Sequence, residues 1–217
     1  MLALKLSRPG RLAATALEQQ GLTQYGVKFM ALFIQQTGVR KLINASDGEH
    51  AMKSLEEVAA KAYDGVEAIS RESPVGDHQS NGAIESAVRT LKAQMRTTRF
   101  AIEAKLGRSL KSDDVLLTWI PTFAGDTIAR FRKDVDGKTP WEKECGRRWA
   151  GESLEFGERF FLKEAKERSN TSKKDWEARL IEACFVGQNA RTGTILGLTP
   201  DGVVQGRFGR RLPEKER

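Results

Sequence analysis

Two acidic residues, Asp47 and Glu85, stand where a pair of carboxylates could bind metal ions together. Asp47 follows a predicted strand over residues 39–44, and Glu85 lies in the first turn of a long predicted helix over residues 82–106. A carboxylate after a strand and a second one on a facing helix can point into one cleft. Two divalent ions about 4 Å apart need several such carboxylates to bind and to neutralise a phosphate under in-line attack. The pair therefore indicates metal-assisted chemistry on a phosphodiester.

Each acid by itself also has an ordinary structural explanation. An acid after a strand is usually a turn residue, and a glutamate early in a helix usually complements the helix dipole. The neighbours of Glu85 favour a functional interpretation, because Asn81 and Gly82 precede the helix, and Arg89 and Lys92 lie one and two turns further along the same face. A row of cations beside such a carboxylate suits a phosphate backbone, although it is equally a normal solvated face.

The elements that must position these residues alternate between helix and strand over residues 1–136. The predicted elements are a helix over 12–36 that breaks near Gly21 and ends at Gly38, a strand over 39–44, a helix over 50–63, a strand over 66–69, the helix over 82–106, and a helix that starts at Ser112 and is kinked by Pro121. A strand, helix and strand of these lengths are typical of an α/β fold.

The last third of the chain has a different composition. Residues 137–156 are predicted to form a linker loop with one anchoring tryptophan, and short apolar runs separated by turns follow from residue 157. Thr199-Pro200-Asp201-Gly202 between two such runs is a hairpin signal. We therefore predict a β-rich, barrel-like domain over 157–217 behind an α/β domain over 1–136.

The composition favours a folded, basic, intracellular protein. The chain has 217 residues and a formal net charge of +7, which favours polyanions such as nucleic acid or an acidic membrane surface; a basic surface without such a partner is the alternative. The sequence contains no run of about 18 apolar residues, so no membrane span is predicted. The first residues do not match a signal peptide. The two cysteines and two histidines form neither a disulfide framework nor a zinc pattern.

Three ordered blocks carry a more specific resemblance. ASDGEHAMKSL, ESPVGDHQSNGAIESAVRTLKAQMRT and FRKDVDGKTPWEKECGRRW resemble successive blocks of the integrase region of copia-like long-terminal-repeat retrotransposon Pol polyproteins. The resemblance starts near residue 23 and covers most of the chain from there. It implies an α/β fold with a partial ribonuclease-H-like integrase core and long helices, followed by the small β-rich domain. It also implies a nuclear or cytoplasmic protein of a transposable element.

The resemblance assigns roles to particular residues. The family core binds Mg²⁺ (or Mn²⁺) through two aspartates and a glutamate; Asp47 matches the second aspartate, and Glu85 matches the glutamate of an N-G-x-x-E motif that begins at Asn81. Basic residues after that glutamate contact DNA in relatives, which predicts DNA binding by Arg89 and Lys92. The candidate DNA-binding set is Asn81, Arg89, Lys92 and Arg96. The implied partners are retroelement ends and target DNA, and the resemblance leaves room for a homo-oligomer.

One departure from the family pattern affects the predicted activity. The first catalytic aspartate of the family lies on the first strand of the core, but residues 1–46 contain no aspartate, and Glu18 is the only acid among them. We therefore expect an N-terminally truncated core with LALKL as the remnant of a strand, an open sheet edge, weak or absent metal binding, and a chain that is inactive in strand transfer.

Three functions remain open on the sequence. The first is an integrase fragment that performs Mg²⁺-dependent DNA strand transfer in the intact protein. The second is a non-catalytic DNA-binding remnant that keeps the basic helix and the β-rich domain. The third is an interaction protein whose basic helix docks an acidic partner, and its affinity would be insensitive to DNA.

Overall fold

A computed structural model describes residues 1–19, 21–38, 41–46, 50–62, 67–72, 78–151, 153–164, 180–189 and 192–213. The elements in chain order are β1 (Leu2–Lys5), β2 (Leu12–Thr15), α1 (Gln24–Thr37), β3 (Lys41–Ser46), α2 (His50–Lys61), β4 (Glu67–Glu72), α3 (His78–Leu106), α4 (Leu116–Phe131), α5 (Pro140–Cys145), β5 (Arg159–Glu164), β6 (Ile181–Gln188), β7 (Ile195–Thr199) and β8 (Gly202–Arg211).

The N-terminal segment corrects the prediction of a helix over 12–36. Residues 12–15 form strand β2, which pairs antiparallel with β1, and Leu2 stands opposite Thr15. Only α1 is helical: it begins after Thr23, whose hydroxyl accepts a hydrogen bond from the Gly26 amide, and ends at Gly38 in the left-handed conformation. Pairing with β1 supplies backbone hydrogen bonds that a helical period in the sequence could not anticipate.

The predicted strand–helix–strand unit is present with shifted bounds. Strands β3 and β4 pair in parallel, with Ile43 opposite Ile69, and α2 connects them along the chain. Within the described residues, β1–β2 and β3–β4 are two separate two-stranded sheets. Ile43 and Ile69 are both more than half exposed. The sequence prediction of a truncated core with an open sheet edge stays a prediction.

The first half of the chain packs around two small cores. In one, Leu2 of β1 meets Met30 of α1 and Leu55 and Ala59 of α2. In the other, strand β2 packs with α3 and α4. Its buried members are Leu12, Ala14, Ala87, Leu91, Ala124 and Ile128. The hairpin β1–β2 therefore contributes to both cores and connects α1 and α2 with α3 and α4.

The long helix and the one that follows it start at different places from those predicted. Helix α3 begins at His78, so Glu85 lies in its interior, two turns from the start, and not in the first turn. Helix α4 begins at Leu116, and the Asp114 carboxylate accepts a hydrogen bond from the Leu116 amide at 3.1 Å. Pro121 stands inside α4, which continues to Phe131.

The predicted linker loop contains a helix, α5. Thr139 and Glu142 form a reciprocal capping box, in which each side chain accepts a hydrogen bond from the other residue's amide. Two tryptophans lie here in edge-to-face contact, Trp141 and Trp149, with ring centroids 4.9 Å apart, so the prediction of one anchoring tryptophan was incomplete. The Arg130 guanidinium lies 4.2 Å above the Trp149 ring and ties this segment to α4.

The C-terminal strands form a closed antiparallel barrel in the order β5–β6–β7–β8. The predicted hairpin is confirmed, because Thr199 of β7 stands opposite Gly202 of β8. The barrel interior holds the buried residues Phe160, Leu162, Ala183 and Phe185. Glu158, immediately before β5, is almost completely buried and accepts two hydrogen bonds from Arg211 at the end of β8, at 2.6 and 2.7 Å.

The barrel packs against the helices through a third core. Ile102 of α3 and Ile120 of α4 pack with Phe156 and with Val186 of β6. Gly157 has a positive φ of 80°, and a Cβ atom there would overlap the Ile102 side chain. Arg130 of α4 also donates a hydrogen bond to the Gln188 carbonyl at the end of β6, at 3.0 Å. A mixed helix-and-strand fold with a closed four-stranded barrel is therefore established, while the predicted domain limits stay predictions.

Neither cysteine forms a disulfide: Cys145 is a free, exposed thiol, and Cys184 is a free, half-buried one. Burial raises the pKa of the Cys184 thiol, which keeps it in the protonated form. Among the helices that the structure describes, none is long and apolar enough to cross a membrane.

Candidate nucleic-acid interface

Helix α3 presents a cationic face to solvent. Arg89, Lys92 and Arg96 are exposed, and Glu85 is exposed one turn before Arg89. The opposite face is buried, and its members are Ala87, Leu91, Thr98 and Ile102. The helical period in the sequence predicted this division correctly, because apolar residues three and four positions apart face the core. We call Arg89, Lys92 and Arg96 the cationic face of α3.

Contacts at both ends hold α3 in place. Near its start, the Lys5 ammonium of β1 donates a hydrogen bond to the Ala83 carbonyl at 3.1 Å. Near its end, Glu103 accepts hydrogen bonds from Arg99 and from the Leu110 amide, both at 2.8 Å. The hydrogen bond from Arg99 is the main reason that the pKa of the Glu103 carboxyl lies below its usual range. Together with the packing of its buried face, these contacts position the helix that carries the cationic face.

The three cations of this face differ from the other basic residues nearby. Within the described residues, Arg89, Lys92 and Arg96 have no hydrogen-bond or ion-pair partner. By contrast, basic residues at or just beyond the end of α3 are engaged: Arg99 pairs with Glu103, Lys105 with Glu155 and Arg108 with Asp114. Free guanidinium and ammonium groups in a row are available to neutralise phosphates.

The predicted metal-binding pair is described only in part. Asp47 lies outside the described residues, and so does the side chain of Asn81, whose backbone is in the first turn of α3. Glu85 is an exposed carboxylate. Among the residues that the structure describes, no group of three or more His, Cys, Asp or Glu side chains could hold a metal ion. Glu85 alone does not provide the several oxygen ligands that Mg²⁺ takes.

The barrel carries a second group of exposed residues that the sequence analysis did not single out. Arg207, Phe208 and Arg210 of β8 are exposed, and Phe208 has 56% of its surface accessible. Exposed aromatic and cationic side chains on one strand are typical of surfaces that bind single-stranded nucleic acid. The signal in the sequence was the run GRFGRR, which carries an aromatic residue among basic ones.

Comparison with known proteins gives a fold and no family. No family model matches the chain, and no curated protein matches it. Among solved structures, the chain is similar to one in the cryo-EM structure of the simian T-cell lymphotropic virus intasome in complex with PP2A regulatory subunit B56 gamma. The TM-score is 0.50 at 14% identity, over 97% of this chain and 71% of that chain. The chain therefore shares its overall fold with a component of a retroviral intasome complex.

Proposed function

We propose that this chain is a nucleic-acid-binding fragment of a retrotransposon integrase, and that α3 lays its cationic face along a DNA phosphate backbone. In this proposal, residues 1–136 are a partial ribonuclease-H-like core, and the barrel is the β-rich domain that follows it. The resemblance of the three sequence blocks to copia-like integrases and the fold shared with a chain of a retroviral intasome complex support it independently.

The observation that carries the proposal is the set of unengaged cations on α3. Arg89, Lys92 and Arg96 project from one exposed face of a helix whose other face is buried, and none has an acidic partner among the described residues. A fold that needed these residues for its own stability would pair or bury them. Three such charges fit a polyanion, since each phosphate they neutralise releases condensed counterions.

Asp47 and Glu85 are the proposed metal ligands in the intact enzyme. When bound there, Mg²⁺ or Mn²⁺ would neutralise the charge of a phosphodiester under attack by water or a 3′-hydroxyl. Residues 1–46 contain no aspartate that could be the third acid. We expect this chain alone to show no Mg²⁺-dependent joining of DNA strands in a gel assay. In a protein in which the third acid is restored, Glu85→Gln should abolish Mg²⁺-dependent joining, and joining that persists in that variant would remove Glu85 from the metal site.

The DNA-binding part is tested by the salt dependence of affinity. Arg89→Ala and Lys92→Ala should each weaken binding to a blunt DNA duplex and lower the slope of log K against log salt by about one contact. Fluorescence anisotropy over a range of salt concentrations measures both quantities. Lys111→Ala is the matched control, because Lys111 is an exposed cation outside α3, and it should leave the slope unchanged.

The competing interpretation is an acidic protein partner for the same helix face. It predicts that a polyglutamate chain binds as tightly as a DNA duplex of equal charge. It also predicts that Arg89→Ala and Lys92→Ala weaken binding to polyglutamate as much as they weaken binding to DNA. Unchanged salt slopes in both Arg89→Ala and Lys92→Ala would exclude these residues from the DNA surface.

A further inference from the structure

A cavity of about 250 Å³ opens at the surface of the barrel, away from the face of α3. The apolar side chains Leu154, Phe185 and Ile195 line it, and Arg207, Phe208 and Arg211 line it as well. Leu154 and Phe185 are buried, whereas Phe208 is more than half exposed. The cavity therefore combines an apolar interior with an accessible aromatic ring and guanidinium groups.

The size of this cavity limits what it can hold. Pockets for drug-sized ligands usually measure about 300–1,000 Å³, so a cavity of about 250 Å³ suits a single ring system. Two of its lining residues, Gly193 and Gly209, have no side chain to narrow it. A Cβ atom at Gly209 would lie only 3.0 Å from the Phe160 ring, so barrel packing restricts this position to a small residue.

The charges around the cavity select the kind of ring. None of the described residues that line it is acidic. Arg211 is held by the buried Glu158, whereas Arg207 has no hydrogen-bond or ion-pair partner among the described residues. A flat ring that carries a negatively charged group would place the ring against Phe208 and the anion at Arg207. A nucleotide has this combination, because each base has a π-face and each backbone link has a phosphate.

We propose that this cavity binds one unpaired nucleotide of a DNA strand, with the base stacked on Phe208 and the phosphate at Arg207. The proposal rests on the proposed function, since it assigns the barrel the single-stranded part of a DNA whose duplex part contacts α3. It adds a preference for DNA with an unpaired end over fully paired DNA. In a duplex the bases are stacked on one another, so only an unpaired base can reach the Phe208 ring.

The test compares two DNA hairpins with the same stem, each closed by a non-nucleotide linker in place of an unpaired loop, one with a blunt end and one with a short thymidine overhang. Stacking on an aromatic side chain is worth about 1–3 kcal/mol per base, so the overhang should bind roughly 5- to 150-fold tighter than the blunt hairpin. Phe208→Ala should abolish this gain and leave the affinity for the blunt hairpin unchanged. Phe208→Trp should retain the gain, because it keeps an aromatic face.

Val203→Ala is the matched control, since Val203 is an exposed apolar residue of the same strand that does not line the cavity. It should keep the full gain. Arg207→Ala should reduce the gain and also lower the salt slope for the overhang hairpin alone. A gain that survives Phe208→Ala, or no gain in the unmodified chain, would overturn the proposal.

Failure of this proposal is distinguishable from failure of the proposed function. If the blunt hairpin binds with a salt slope that depends on Arg89 and Lys92 but the overhang adds nothing, the cavity proposal alone is wrong. If the blunt hairpin does not bind, the proposed function is wrong. The cavity proposal is then still supported if a single-stranded thymidine oligonucleotide binds the unmodified chain and does not bind the Phe208→Ala variant.

Discussion

The Glu158 carboxylate links the start of the first barrel strand to the end of the last one. Only 1% of its surface is exposed, and Arg211 donates two hydrogen bonds to it from the end of the last strand. A bidentate guanidinium–carboxylate pair is among the stronger hydrogen-bonded contacts in proteins. Removing Glu158 takes these two hydrogen bonds from the Arg211 guanidinium, whose side chain is partly exposed.

Glu158→Ala should therefore lower the free energy of unfolding by about 1.5–3 kcal/mol, as measured by urea denaturation. The control is Glu182→Ala, because Glu182 pairs with Arg159 on the exposed outside of the same barrel. Exposed pairs contribute about 0–1 kcal/mol, so this variant should change stability little. Equal losses in the two variants would show that burial of Glu158 does not govern its contribution.

Sequence reasoning found the exposed residues of α3 and missed both the buried Glu158 and the exposed Phe208 of the barrel, for a physical reason. Arg89 and Lys92 lie in a long helix, where the positions of apolar residues also fix which positions face solvent. Glu158 precedes a strand, and no pattern in the sequence distinguishes it from a surface acid. Phe208 is an aromatic residue of a kind that usually lies in a core, and only the three-dimensional structure of the barrel shows that it is exposed.

At the scale of elements, long-range pairing was the main source of error. Residues 12–15 were predicted as the start of a helix, but they form strand β2 because β1 lies beside them. The helices α2 and α3 and the hairpin at Pro200 were predicted from local signals, and the structure contains all three. Helix α5 was predicted as a loop, although Thr139, Pro140 and Glu142 carry the spacing of a capping box.

Thr139→Ala tests that capping box. The hydroxyl of Thr139 is buried and accepts from the Glu142 amide, so its loss should reduce stability by about 0.5–2 kcal/mol in thermal or urea unfolding. Thr118→Ala is the comparison, because Thr118 is exposed within α4 and its hydroxyl donates to the carbonyl of Val115, the residue just before that helix. That change should stay within about 0.5 kcal/mol. A larger loss at Thr118 would argue against a special role for the cap.

At the scale of the whole molecule, three packed regions join the sheets, the helices and the barrel. Strand β2 lies against α4, and α4 in turn packs against β6 of the barrel. Sequence reasoning predicted an α/β part and a barrel-like part, but it did not predict this contact. The apolar residues of α4 indicate that its faces are buried, but they do not identify the elements that pack against them. Helix α3 packs in two of these regions, with β2 and α4 in one and with Phe156 and Val186 in the other, and its cationic face points away from them.

The central claim is that DNA binds along the exposed face of α3, and it is tested most directly by titrating the ¹⁵N-labelled chain with a blunt DNA duplex. Amide chemical shifts should change most around Arg89, Lys92 and Arg96, and the changes should disappear as salt is raised. The claim is contradicted if the duplex binds while the amides of α3 stay unperturbed, or if no amide shifts even at low salt.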